Sequence, residues 1–455
     1  MSASERMSAR ELRAAIGLAG IFGLRMLGLF VILPVFALYA AGLEGGNNLT
    51  LVGVALGAYG LSQAILQIPF GRWSDQLGRK PLLYIGLAIF AAGSLIAGHA
   101  SSIHGVILGR ILQGSGAVSA VAMAMAADLT REEHRTKVMA IIGSMIGLSF
   151  AASLILGPWL GRIIGVDGIF YLTGALAVAA MGVVICLPDP PAQHSHGARG
   201  PVRLADILRD RELNRLSVGI FVLHAVMMSL FVTVPFDLVD AGLDGHEHWK
   251  VYALVMLGSM LYMLPAVHFG DRKGRSKAVF VMSIAIVAAS QVVLLLPDLR
   301  LIGIGIAQLV FFAGFMVQEA ALPAHVSRAA PAGGRGTAIA VYSTVQFLGA
   351  ACGSALGGYL AQHWGRTSLL TMNLGLLVVW LLAAWGMRGY DASSMRSYPL
   401  PPLDGRRAAG LRERLHALPG VREVKLQAGA RMAYLKVDAR AFDEQDVLKL
   451  IAGES

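Results

Sequence analysis

Apolar residues run along this chain in long blocks, and short polar stretches punctuate them. A helix needs about 20 apolar residues to cross the hydrocarbon core of a bilayer. Twelve runs approach or reach that length, at approximately 14–41, 50–70, 81–99, 104–127, 137–160, 168–187, 214–236, 249–269, 277–296, 300–324, 338–360 and 367–387. The breaks between them are short, with one exception. Pro188 to Arg215 is long, polar and basic, and it splits the runs six and six. The first run follows a basic, polar start with no small-residue cleavage site, so it reads as a retained helix rather than a removed leader.

Beyond about Met395 the blocks stop and shorter periods take over. Leu411, Leu415 and Leu418 have helical spacing. The stretches around Val421 and Tyr434 alternate like two strands about a turn at Gly429. Residues 443–451 form a helix with an acidic start, and Met395 to Pro401 supplies a first strand. The order β-α-β-β-α predicts a small ferredoxin-like domain. The expected fold class is an all-α membrane protein of twelve transmembrane helices in two six-helix repeats, plus this C-terminal α+β domain. The expected division is a first half at 1–187, a linker at 188–213, a second half at 214–390 and the tail domain at 391–455.

Composition agrees with a polytopic membrane protein. The chain is 56% hydrophobic and 15% charged, where a soluble domain carries roughly 25% charged residues. Its net charge of +10 first reports topology, because basic residues concentrate in cytoplasmic loops. Arg72, Arg79, Lys80, Arg131, Arg135 and Lys137 all fall on the side of the N-terminus. That places the N-terminus, the long linker and the tail in the cytoplasm. Nucleic-acid binding is not indicated, since no basic run is interleaved with aromatics. Cys186 and Cys352 lie in apolar runs and read as two small buried thiols. There is no phosphate-binding loop, no zinc spacing and no assembled hydrolase triad, and the tail lacks a C-x-x-C pair. The chain therefore reads as no enzyme, with neither a cofactor nor a metal. Its expected partners are the lipid bilayer, protons and a small-molecule substrate.

The two halves repeat. "SDQLGRK" follows the second run of one half and "GDRKGRSK" the second run of the other. Asp75, Gly78 and Arg79 match Asp271, Gly274 and Arg275 at a single offset, 271 − 75 = 196, as parallel repeats require. Val267 stands where the second copy would repeat Gly71. Gly71 and Gly78 remove side chains where helices approach closely. Asp75 can face the positive end of a neighbouring helix. Arg79 can pair with Asp128 at the end of the fourth run. Together with Lys80 they make a candidate conformational latch; ordinary loop charge is the alternative reading.

Charges inside spans are costly and mark function. His224, about ten residues into the seventh span, and Glu319, late in the tenth, both fall toward the cytoplasmic half of the membrane and can pair to carry a proton, histidine changing charge near neutrality. Arg110 joins them as a proton-coupling candidate. Arg25, with Gln63 and Gln67, makes a positive cavity suited to an anionic substrate. In the competing reading backbone carbonyls hold Arg110, and Glu319 is solvated near the membrane edge. Gly157, Pro158 and Gly161 make a kink that serves either as a hinge or as plain packing.

These motifs resemble the major facilitator superfamily. Gly71, Asp75, Gly78, Arg79 and Lys80 match its G-x-x-x-D-x-x-G-R-[K/R] signature, and "RILQGSGA" from Arg110 resembles its fourth-span pattern. "GPWLG" and "LGLFVILPV" resemble motifs of its twelve-span drug:proton antiporters, although Ala37 stands where the second motif has another proline. With the tail added, the chain is similar to the YajR-type transporters of bacterial inner membranes. The resemblance implies proton-coupled efflux by alternating access, with the latch, hinge and Arg110 in those roles. Import of an organic anion and signalling through the tail stay open as alternatives.

Overall fold

The computed structural model describes residues 7–189, 204–272, 275–331, 334–387, 393–400, 405–426, 432–438 and 441–452. Half one comprises α1 (Ala9–Phe30), α2 (Leu33–Ala40), α3 (Leu49–Leu77), α4 (Arg79–His99), α5 (Ile103–Ser115), α6 (Val118–Asp128) and α7 (Glu132–Cys186). A short α8 (Leu204–Arg209) follows. Half two comprises α9 (Arg211–Asp240), α10 (His248–Arg272), α11 (Ser276–Leu294), α12 (Leu301–Ala329) and α13 (Arg335–Trp385). The tail holds β1 (Ser393–Pro399), α14 (Gly405–His416), β2 (Val421–Lys425), β3 (Met432–Asp438) and α15 (Glu444–Ala452).

Among the described residues, ten helical stretches are long and apolar enough to cross a membrane. Two of them are double. α7 reverses at Gly165 (φ 72°) and α13 at Gly365 (φ 78°), conformations that favour a residue without Cβ. Counting both arms of each brings the total from ten to twelve. Conversely, α1 with α2, and α5 with α6, are single crossings broken in mid-membrane. The first break is a local turn with Pro34 near the start of α2, where a missing N–H does no harm. The second falls at Gly116, where a Cβ would lie 2.2 Å from the Gly86 carbonyl oxygen.

Helix starts follow from the sequence. Asn48 accepts from the Thr50 N–H at 2.9 Å, and Asp210 accepts from Glu212 and Leu213 at 2.8 and 3.0 Å, ordinary N-caps. The Asp210 cap starts α9 three residues before the expected half boundary, and α8 occupies part of the expected linker. Gly78, between α3 and α4, takes φ 92°.

Lipid-facing positions stay apolar. Leu254, Ile302, Leu382 and Trp385 are among the most exposed large hydrophobic residues, which suits hydrocarbon rather than water. Cys186 is exposed and Cys352 half-buried, and both are free thiols. The expectation of two buried thiols is corrected here: an apolar run in a membrane helix has an outside as well as a core.

The halves meet along α3 and α13, at the bundle end that carries Gly165. The Leu49 N–H donates to Gln362 Oε1 at 2.7 Å. A Cβ on Gly53 would lie 2.1 Å from the Ser354 carbonyl oxygen, one on Gly57 2.7 Å from that of Ala351, and one on Gly60 2.8 Å from that of Phe347. The seam ends at Tyr59 and Phe347, whose rings are 6.2 Å apart. Deeper in the interface, Phe150 of α7 meets Phe312 and Phe315 of α12 at 6.2 and 5.7 Å.

At the opposite end, which carries Gly78, each half clasps the exit of its last span. Arg10 donates to the Asp189 carbonyl at 2.6 Å, and Lys80 pairs with the Asp189 carboxylate at 2.6 Å. In half two Arg215 donates to the Gly386 carbonyl, and Lys277 to that of Trp385 at 2.9 Å. The hydrogen bond from Lys80 holds the Asp189 carboxyl below its ordinary pKa.

The tail sheet runs β1-β3-β2, all antiparallel, with Tyr434 opposite Ser397 on one side and Lys425 on the other. Leu411 and Leu415 of α14 and Val447 of α15 pack with Leu435 and Val437 of β3. β1 starts two residues earlier than the sequence predicts, and Gly429 lies outside the described residues.

Because the Ser354 carbonyl is backbone, it cannot rotate away from a side chain at position 53. Gly53→Val should cost about 1–3 kcal/mol through overpacking and open the seam. In a chain with Cys186 and Cys352 replaced by serine, Ser354→Cys should then label several-fold faster; an unchanged labelling rate would refute the assignment.

Candidate functional site

Three polar clusters interrupt the apolar bundle. The first lies at the Gly78 end. Arg79 Nε donates to Asp128 Oδ2 at 2.8 Å, and Arg79 Nη1 lies 2.6 Å from Asp75 Oδ1. Ser74 accepts a further hydrogen bond from the same guanidinium. The Arg79 side chain is only 8% exposed, against 28% for Asp128 and 58% for Asp75. The positive φ of Gly78 turns the chain so that Arg79 begins α4 pointing back at α3. All of these residues belong to half one, so the cluster does not by itself bridge the halves. Gly71 makes no close approach either: a Cβ there would sit 3.8 Å from that of Ala120, an ordinary contact. In the second copy, Gly274 and the Asp271 side chain lie outside the described residues. Arg275 is exposed, its guanidinium 5.7 Å from the Phe269 ring centroid.

Beside this cluster is a pairing the motifs did not point to. Arg131 donates from its backbone N–H, Nε and Nη2 to the Glu11 carboxylate at 2.9–3.0 Å. Glu11 also closes a capping box with Ser8. The Ser-x-x-Glu spacing before the first apolar run was the available signal.

The second cluster is buried in half one. Arg25 Nη2 donates to Gln63 Oε1 at 2.6 Å and to Tyr59 Oη at 2.5 Å, and Nη1 donates to Ser119. Gln63 Nε2 reaches Gln67 Oε1 at 3.4 Å. The cavity residues expected from sequence therefore sit together, but they are buried and directed at one another. Arg110 donates to the Ala55 and Leu56 carbonyls at 3.4 Å and to Gln113 Oε1 at 3.1 Å. Of its two sequence readings, backbone restraint describes this geometry. Tyr59 stands between the two cations, its ring centroid 5.9 Å from the Arg25 guanidinium and 5.2 Å from that of Arg110. Sequence reasoning passed over Tyr59, whose position four residues before Gln63 on one helical face was the clue.

The third cluster is in half two. His224 Nε2 of α9 lies 3.8 Å from Glu319 Oε2 of α12 and 2.8 Å from Gln346 Nε2 of α13. The His224 ring is 5.8 Å from that of Phe315, which joins it to the aromatic contact between the halves. Glu319 is 36% exposed at its side chain and His224 10%. Gln346 was not anticipated; a lone amide in an apolar run gives little warning.

The proposed hinge is tight at one point. A Cβ on Gly157 would lie 2.3 Å from the Val31 carbonyl oxygen, at the break between α1 and α2, whereas Gly161 has room. Pro158 lies within α7.

A profile of the Major Facilitator Superfamily matches residues 18–316 and again residues 216–425. The chain is 38% identical to "Inner membrane transport protein YajR" of Escherichia coli (strain K12), over 98% of both chains. It is 26% identical to "Multidrug resistance protein 2" of Bacillus subtilis (strain 168), over 80% of this chain and 94% of that one. Among solved structures, the human organic anion transporter MFSD10 superposes with a TM-score of 0.64 at 17% identity, covering 83% of this chain and 100% of that one. At that identity the likeness speaks for the fold alone.

The first cluster orders two substitutions by burial. Asp128→Asn removes the more sheltered partner of a buried guanidinium and should cost about 1–3 kcal/mol. Asp75→Asn, at a solvated carboxylate, should cost under about 1 kcal/mol. Thermal unfolding of the purified variants checks the order, and equal losses would contradict it.

Proposed function

This chain belongs to the major facilitator superfamily, and within it we propose a proton-coupled exporter of a small molecule. It works by alternating access in a bacterial inner membrane, with the N-terminus, the linker and a ferredoxin-like tail domain in the cytoplasm. Its site lies between the halves near the midplane. The observation that carries the reading is the His224–Glu319 pair at 3.8 Å, with Gln346 beside it, at the inner edge of half two. At 3.8 Å the imidazole and the carboxylate are not hydrogen-bonded, but a movement of about 1 Å would bring them close enough to hold one proton between them. An intramembrane acid that has no Lys or Arg against it among the described residues is costly, and such a group is retained where it serves transport.

The seam of α3 on α13 closes the Gly165 end, which is the outer end under this topology. The cycle then requires the seam to part and the Gly78 end to close. Arg79, held by Asp128 within half one, and its partner Asp75 then meet half two. Their role is a latch for the outward-open state. The Gly157 contact on the broken first span is the hinge about which half one bends. Import of an anion is the second reading, favoured because no carboxylate among the described residues lies against Arg25 or Arg110.

In proteoliposomes, substrate export should drive protons the opposite way, whereas parallel fluxes would establish import. Glu319→Gln should abolish proton-linked transport while substrate binding persists; full coupling in that variant would end the proposal. Asp75→Asn should shift the balance between inward- and outward-open states, read by accessibility labelling at the two ends of the bundle.

A further inference from the structure

Half one buries two guanidinium groups in the membrane and gives neither a carboxylate. Arg25 and Arg110 are each 2% exposed. Among the described residues no Asp or Glu lies within ion-pair distance of either. A buried charge without a counter-charge is costly, so each needs an explanation.

Arg110 has a structural one. Its donors go to two backbone carbonyls of α3 and to Gln113 one turn along its own helix, and Gln113 is fixed by Ser94 at 2.8 Å. Arg25 differs in three ways. Its partners Ser119, Tyr59 and Gln63 are all neutral side chains rather than backbone carbonyls. Its buried Nε has no hydrogen-bond partner among the described residues, whereas the Arg110 Nε donates to the Ala55 carbonyl. Finally, Tyr59 touches Phe347 of half two at the inner end of the seam. The cation thus sits directly behind the contact at which the halves part.

We propose that Arg25, with Tyr59, Gln63 and Ser119, receives a carboxylate group of the transported substrate, which is therefore an organic anion. This rests on the transporter reading above and supplies its substrate class. A carboxylate offers two oxygens to the planar guanidinium fork. It also supplies the negative charge that half one lacks. A cationic substrate would instead meet two like charges. Because Phe347 covers Tyr59, the anion reaches Arg25 only when the seam loosens, which ties binding to the movement of the halves.

Thermal unfolding of the full chain in detergent provides the test, since a ligand stabilises the state that binds it. The probes are acetate, benzoate and decanoate, each compared with its amide and its amine, together with sodium chloride and sodium sulfate. At least one carboxylate should raise the melting temperature while its amide and amine do not. Arg25→Gln should remove that shift, and Arg25→Lys, which keeps the charge but loses the fork, should weaken binding about ten-fold. Should Arg25→Gln fail to fold, the Arg25→Lys comparison stands alone, and an unchanged affinity there would overturn the proposal. So would stabilisation by amines alone, no response to any carboxylate, or a carboxylate shift that survives Arg25→Gln. A shift with chloride or sulfate only would assign the site to a free inorganic anion and overturn the organic one. Proton coupling through Glu319 is scored separately by proton flux, so either reading can fail alone.

Discussion

Two helix backbones can touch only where neither carries a side chain between them. α3 and α13 meet that condition over about two turns, with Gly53, Gly57 and Gly60 facing Ser354, Ala351 and Phe347. In lipid no hydrophobic force presses the halves together, so close fit must supply the attraction. Much else is arranged around this seam. It closes one end of the bundle, and it stops where the side chains become large, at Tyr59 and Phe347. Polar residues begin at that level: Gln63 and Gln67 on α3, Gln346 on α13. The dry half of the interface and the polar half are thus divided by the position of the last glycine.

The repeat in fold is not a repeat in chemistry. Half one keeps its intramembrane charges positive and wraps them in neutral donors and acceptors. Half two keeps an acid and a histidine together and leaves the acid partly exposed. Each arrangement carries a desolvation cost, and the costs have opposite sign of charge. In the proposed function that division assigns ligand capture to the buried cations of half one and proton handling to the acid and histidine of half two.

Much of this was legible in the sequence because a membrane leaves so few options. Spans must be long and apolar, so their number and grouping follow from counting. Charges are scarce enough that Arg79 had one obvious acid in Asp128, and His224 one in Glu319. The breaks within the first and fourth spans were hidden, since a helix turned aside at Val31 or Gly116 keeps an unbroken apolar run. Tyr59 was hidden because an aromatic in such a run reads as packing. Gly71 misled in the other direction: its motif position implied a close neighbour, and in this arrangement of the halves there is none. Cys186 was misplaced because burial in the bundle and burial in lipid look alike on a hydropathy scale.

The clasp on the last span has a consequence for the tail. Arg215 and Lys277 hold the carbonyls of Gly386 and Trp385, so the chain leaves half two at a fixed point. Only six peptide steps separate Met387 from Ser393 at the start of β1, at most about 20 Å of reach. A domain on so short a leash is presented to the bundle at an effective concentration of about millimolar or more. Contacts far too weak to survive between separate molecules would still be occupied most of the time. Such tethering lets the tail and the bundle touch without a tight interface between them.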